Sequence, residues 1–201
     1  MSSKYRMLDL FSGMGGASSA MIDDDSWEVV RIENNPLLAD TPHTQARDVR
    51  EWLDWIDLLG PFDVVWASPP CTDFSRGFDA PMPTARRAGE EYEPDLSLML
   101  AAKEIIEHLD PDWWVIENVA GAAEWFNPIL KKPTQTIQAF YLWGKFPFIA
   151  VPMGWTHSKF EGDTWSTDPL RPNRRALVPY EISNGFKTAV ETQLTLEAWW
   201  A

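Results

Sequence analysis

A single cysteine, Cys71, stands among 201 residues. That excludes an internal disulfide and any cysteine-rich metal site. The three histidines, His43, His108 and His157, are too scattered for ligand spacing, so no metal is expected. No apolar run approaches the ~18 residues that a membrane-spanning helix needs. The opening Met1-Ser-Ser-Lys-Tyr-Arg also lacks the apolar stretch of a signal peptide. Together these absences predict a cytoplasmic protein with no membrane partner. Positive charge is scarce as well: 17 Lys and Arg face 30 Asp and Glu, for a net charge of −13. Such a surface does not grip nucleic acid over its whole extent, because phosphate binding rests on basic contacts and counterion release.

What is present is a globular composition, 45 % apolar, which excludes global disorder. The length suits one domain spanning 1–201. Charge is unevenly distributed. Residues 131–175 carry seven Lys and Arg against three acids, a local excess of four positive charges. This basic patch on an acidic body is compatible with a polyanionic partner. Short apolar runs bounded by turn residues at 5–11, 28–33, 62–67 and 113–119 read as buried strands. Helical patterns lie at 15–22, 51–59 and 95–109, the last with Asp95 as a candidate cap, and a terminal helix is expected over 181–197. Segments 76–94 and 144–179 are Pro-rich and weakly periodic, and read as long loops. Strand and helix alternating in this order predict an α/β fold with a mostly parallel sheet.

Four places carry chemistry. Gly13, Gly15 and Gly16 fall at a strand-to-helix turn, where a ligand can approach the backbone and a helix start offers amide donors. The turn lacks the third glycine of a dinucleotide fingerprint, and no Gly-Lys-Ser/Thr loop occurs. Glu33 ends the second strand, where an acid commonly accepts from ribose hydroxyls or else caps the following turn. Asp48 ends a third candidate strand and is open between an adenine contact and a surface acid. Cys71 follows a buried strand and two prolines on the ligand side of the sheet. It is either a small buried hydrophobe or a nucleophile. Glu117 ends the strand Trp113-Trp-Val-Ile-Glu, and its apolar neighbours favour a protonated carboxyl, as a proton donor needs.

Taken together, Asp9-Leu-Phe-Ser-Gly-Met-Gly-Gly, Ser68-Pro-Pro-Cys and Glu117-Asn-Val resemble the cytosine carbon-5 DNA methyltransferase family, in order and spacing. Arg175-Ala-Leu-Val-Pro-Tyr-Glu-Ile is similar to that family's closing segment, here 176–201 with the terminal helix. The resemblance implies a Rossmann-like S-adenosylmethionine-dependent methyltransferase fold with helices on both sheet faces. It implies S-adenosylmethionine held by Asp9, Phe11, Ser12, Gly13, Gly15, Gly16, Glu33, Asn34, Asp48 and Pro69. Cys71 and Glu117 would be catalytic, with Pro70, Ser75, Arg76, Asn118 and Val119 toward the substrate. The substrate would be DNA with a flipped or single-stranded cytosine. Arg76, Arg86 and Arg87 would sit on a loop covering that base.

The chain departs from the family pattern in three ways. Thr72 follows the cysteine where the family commonly has Gln or another polar residue. Gln135-Thr-Ile-Gln-Ala stands where the family has a Gln-x-Arg-x-Arg segment. The stretch between Trp143 and Leu177 is too short for a large target-recognition region. That stretch, with Trp143, Trp155 and Trp165 among its basic residues, would form a minimal clamp in which bases stack on indoles. Alternatively, a partner subunit supplies target recognition. A compact enzyme of this kind would suit a restriction-modification system or a phage. Two other readings stay open: a catalytically impaired cofactor-binding relic, and carbon-5 modification of a pyrimidine in RNA.

Overall fold

A computed structural model of the chain describes residues 5–158 and 167–200. Lys159, Glu161, Asp163 and Trp165 lie outside the described residues. Seven strands form one sheet: β1 (Tyr5–Leu10), β2 (Trp27–Glu33), β3 (Thr44–Ala46), β4 (Val64–Ala67), β5 (Trp113–Asn118), β6 (Gln135–Ile137) and β7 (Phe140–Lys145). Their order is β3-β2-β1-β4-β5-β7-β6. The first five are parallel neighbours, β7 runs antiparallel to β5, and β6 antiparallel to β7. The helices are α1 (Ile56–Leu59), α2 (Pro81–Ala88), α3 (Ser97–Leu109), α4 (Ala123–Leu130), α5 (Arg171–Ala176) and α6 (Tyr180–Trp200). This is the α/β architecture with a mostly parallel, Rossmann-like sheet that the sequence predicts. No helix among the described residues is long and apolar enough to cross a membrane.

Strand alternation sends successive side chains to opposite faces, and each face has its own core. Leu8, Leu10, Ile32, Val65, Ala67 and Ile116 pack under α1, α3 and α4. Met7, Val29, Val64, Trp66 and Val115 pack under the segment 17–22 and α6, through Ile182, Phe186 and Val190. Helices therefore cover both faces. The cap position of α3 is Leu96 and not the expected Asp95, which stands one residue earlier, its carboxylate accepting from the Ser97 amide at 2.8 Å.

Four local expectations need correcting. Segment 15–22 is a run of turns, not a helix. Gly15 sits at φ +78°, and the Ala20 amide, which a helix would direct to Gly16 O, donates instead to Ser183 Oγ on α6 at 3.0 Å. The helix over 51–59 is a 3₁₀ stretch, Val49–Asp54, and then α1, broken where Trp55 takes φ −138°. The loop 76–94 contains α2, started by Pro81 at the first helical position and ended by left-handed Gly89. The loop 144–179 begins in β7 and contains α5.

Trp143 is also corrected. It is fully buried, its indole N–H donating to Asn127 Oδ1 at 3.1 Å and Lys131 O at 3.2 Å. It is a core residue and offers no stacking platform. Trp143→Ala is expected to lower stability by about 3–5 kcal/mol, as large-to-small aromatic changes in cores do. Equilibrium denaturation in urea would measure it.

Candidate active site

Reversal of strand order between β1 and β4 opens a crevice at the carboxyl ends of the strands, where ligands bind in open α/β sheets. Register sets Leu10 beside Ala67 and Ala67 beside Ile116. The chain therefore leaves β1, β4 and β5 at one level, into the glycine turn, the Cys71 loop and Glu117. A cleft of about 370 Å³ opens there. The ends of β2 and β3 form one wall, and α5 with the Leu177 and Val178 that follow it closes the other. Gly16 permits that closure, since a Cβ there would stand 2.5 Å from Val178 O.

Cys71 and Glu117 both line this cleft. The thiol is half-buried, and Glu117 is only 7 % exposed. Their loops are fixed to each other. Asn118 Nδ2 donates to Pro69 O at 3.0 Å, and Asn118 Oδ1 accepts from the Val119 amide at 2.9 Å. Behind them the turn Ala120–Ala122 abuts Thr72–Phe74 so closely that a Cβ on Gly121 would lie 1.9 Å from Phe74 O. A side chain at 121 would push the Cys71 loop off the loop that follows Glu117.

Toward β1 and β2 the lining includes Asp9, Phe11, Ser12, Gly13, Gly16, Glu33, Asn34, Asp48 and Pro69, with Pro70 and Val119 nearer Cys71. Phe11 is held at φ +57°, a strained conformation for a non-glycine residue. Each Glu33 oxygen accepts one backbone amide, Gly13 N at Oε2 and Asn35 N at Oε1, both at 2.8 Å. Glu33 thus ties the glycine turn to the end of β2. Asp48 is drawn below the usual carboxylate range by hydrogen bonds from Arg50, whose guanidinium lies 2.5 Å away.

Gly15, Ser75, Arg76 and Asn118 are not among the lining residues. Gly15 backs onto Arg31, Asn118 braces the loops from behind, and Arg76 is exposed. On α2, Arg86 pairs with Glu124 at 2.8 Å and Arg87 lies 3.9 Å over the Phe78 ring. Gln135 exchanges both amide bonds with Ile149, and Gln138 spans Trp155 O and His157 N. Both glutamines therefore hold the segment that follows β7. Arg47, Arg50 and Asn173 line the cleft although the motifs did not single them out for a role, and Arg31 lies behind the glycine turn. An arginine between the apolar Val30 and Ile32 was the available signal for Arg31.

Asp9 is wholly buried, and burial pushes its carboxyl up to about 6 against hydrogen bonding from Ser18 and the charge of Arg31. A folded-state value above the unfolded one means that the folded protein favours the neutral acid. That stabilising preference is full below about pH 4 and is lost as pH rises through about 6, so ionised Asp9 costs about 3 kcal/mol. Asp9→Asn is expected to raise the unfolding free energy by up to that amount at pH 8 and to change it little at pH 4. Denaturant titrations at the two pH values would read the difference.

The family model described as C-5 cytosine-specific DNA methylase matches residues 5–138, about two thirds of the chain. The Frog virus 3 (isolate Goorha) protein named "Probable DNA (cytosine-5)-methyltransferase" is 36 % identical over 120 residues, 56 % of this chain and 53 % of that protein. The chain thus spans about half the length of this curated relative. Among solved structures, the Entamoeba histolytica methyltransferase EhMeth is similar with TM-score 0.43 and 19 % identity, over 61 % of this chain and 40 % of that one. A Spodoptera frugiperda DNMT2 mutant is similar with TM-score 0.41 and 18 % identity, over 72 % of this chain and 52 % of that one.

Proposed function

The chain belongs to the C-5 cytosine-specific DNA methylase family, and from that premise we propose that it methylates carbon 5 of cytosine in DNA. One observation carries the reading: Cys71 and Glu117, from the ends of neighbouring strands, line a single cleft with the glycine turn and Glu33. The cleft volume falls in the range of small-molecule sites. Asp9 Oδ1 and Ser12 Oγ are buried at this cleft without hydrogen-bond partners among the described residues. Such groups await a ligand's polar atoms. S-adenosylmethionine fits this donor and acceptor set, with Glu33 toward its ribose, Asp48 and Asn34 toward adenine, and Asp9 and Ser12 beside the glycine turn. Bound there, it would supply an electrophilic methyl group on a sulfonium.

The protein's own residues then make cytosine reactive. Neutral cytosine is a poor carbon nucleophile. The Cys71 thiolate adds to carbon 6, while Glu117 holds ring nitrogen 3 and steadies the charge that develops there. Carbon 5 gains electron density and so could take a methyl group from the sulfonium, whose sulfur would leave as a neutral thioether. Loss of the carbon-5 proton then re-forms the 5,6 double bond and expels Cys71. Transient covalent attack divides one difficult step into easier ones. A cytosine inside a duplex must leave the stack to reach Cys71.

Incubating the protein with methyl-labelled S-adenosylmethionine and cytosine-containing DNA or RNA tests this function. Label on carbon 5 of DNA cytosine supports it, and label confined to RNA moves the substrate to that polymer. Cofactor binding without transfer to either would make the chain a cofactor-binding subunit. Lys131 and Lys132 are exposed at the basic stretch. If that stretch touches phosphates, DNA affinity falls steeply between 50 and 200 mM salt, on the order of tenfold or more. A filter-binding series would measure the slope.

A further inference from the structure

Beneath the glycine turn lies a buried charge that the reaction does not use. Arg31 on β2 is 4 % exposed. Its Nε donates to Ser18 Oγ at 2.9 Å, its Nη2 to Gly15 O at 3.0 Å and its Nη1 to Pro42 O at 3.0 Å. Ser18 Oγ in turn donates to Asp9 Oδ2 at 2.6 Å. The other Asp9 oxygen, Oδ1, has no partner among the described residues, although Asp9 lines the cleft. Gly15 is compelled by the same group, since a Cβ there would stand 2.3 Å from the Arg31 guanidinium carbon.

We propose that Arg31 is a positioning residue of the cofactor cleft: it fixes the glycine turn and orients Asp9 through Ser18, so that Oδ1 accepts from a donor group of the bound cofactor. This inference rests on reading the cleft as an S-adenosylmethionine site. The guanidinium has two separable effects. Its planar fork sets geometry, joining Ser18 and the Gly15 carbonyl in one plane as an ammonium cannot. Its charge favours the ionised form of Asp9 against burial. The charged groups acting on this pair are Glu33 on β2, which opposes Asp9 ionisation, and Asp23, which favours the charged arginine. Beside Asp9 in the sheet, β4 sets the uncharged Trp66.

The test is calorimetric binding of S-adenosylmethionine to the full chain between pH 5 and 8, with the melting temperature followed at each pH. Wild-type affinity is expected to rise with pH through about 6, where Asp9 ionises. Arg31→Met should move that midpoint up by about one pH unit or more. Arg31→Lys, which keeps charge and loses the fork, should weaken binding evenly across the range and leave the midpoint in place. Ser18→Ala, a smaller change in the same chain of bonds, should also raise the midpoint and decides the matter if Arg31→Met does not fold. A merely structural arginine would lower affinity and melting temperature without moving any midpoint. Wild-type binding with the same midpoint in Arg31→Met or, failing that variant, Ser18→Ala overturns this inference alone. Absence of wild-type binding overturns the cofactor reading and this inference with it.

Discussion

DNA carrying 5-fluorocytosine is expected to leave a denaturation-resistant adduct on the wild-type protein, and none on Cys71→Ala. Attack of the Cys71 sulfur at carbon 6 and methylation at carbon 5 proceed on the fluorinated ring as on cytosine. The last step cannot, because carbon 5 then holds fluorine where the departing proton would be. Without that proton the 5,6 double bond does not re-form, and the carbon–sulfur bond persists. On ordinary DNA the same substitution should reduce methyl transfer by on the order of 10⁴-fold or more, the scale seen when a covalent nucleophile is removed. Cys71 is half-buried on a loop, so Cys71→Ala should change stability by no more than about 1 kcal/mol. Cofactor affinity should be unchanged. An adduct that survives in Cys71→Ala, or is missing from folded, cofactor-loaded wild type, would remove the covalent mechanism.

How far the sequence foretells this site differs from element to element. The four strands that end at the cleft were visible as short, mainly apolar runs, because a strand buried on both faces is mostly apolar. Their ends line the cleft, so Cys71 and Glu117 could be set on one edge of one sheet before their neighbours were known. Strands β6 and β7 were missed. Gln135–Ile137 is three residues long, and β7 mixes Gly144 and Lys145 with its apolar positions, which blurs the pattern. Segment 15–22 misled for another reason. Its composition reads as helical, but the Ser18 hydroxyl and the Ala20 amide are bound to groups outside the segment, Asp9 and Ser183. Ser183 is 163 positions away from Ala20, and a local pattern carries no trace of such a partner. The same holds for Trp143, whose burial depends on Asn127 and on the hairpin that places it.

The site shows the same division. Residues that line the cleft through their own side chains, such as Glu33, stand at strand ends and are legible there. Residues that act on other protein groups were not. Asn118 holds Pro69, Gly121 lets two loops approach, and Arg31 holds the glycine turn. Each depends on a contact between elements far apart in the chain, which only the assembled sheet reveals.

Glu117→Gln is expected to lower the rate of methyl transfer by about 10²- to 10⁴-fold, the usual worth of a general acid or charge-steadying group. The amide keeps the size of the side chain and can still hydrogen-bond to ring nitrogen 3. It does not give up a proton, nor does it carry the charge that would steady a protonated ring. The loss should therefore fall on the chemical step, with S-adenosylmethionine affinity and DNA affinity nearly preserved. Single-turnover kinetics separates these possibilities. Because the acid assists addition of sulfur to carbon 6, Glu117→Gln should also slow formation of the 5-fluorocytosine adduct while leaving its final yield intact. Cys71→Ala abolishes the adduct at any time. A Glu117→Gln protein that forms the adduct at the wild-type rate and turns over normally would return Glu117 to the role of a strand-end residue, and the pairing of thiol and acid in one cleft would lose its chemical meaning.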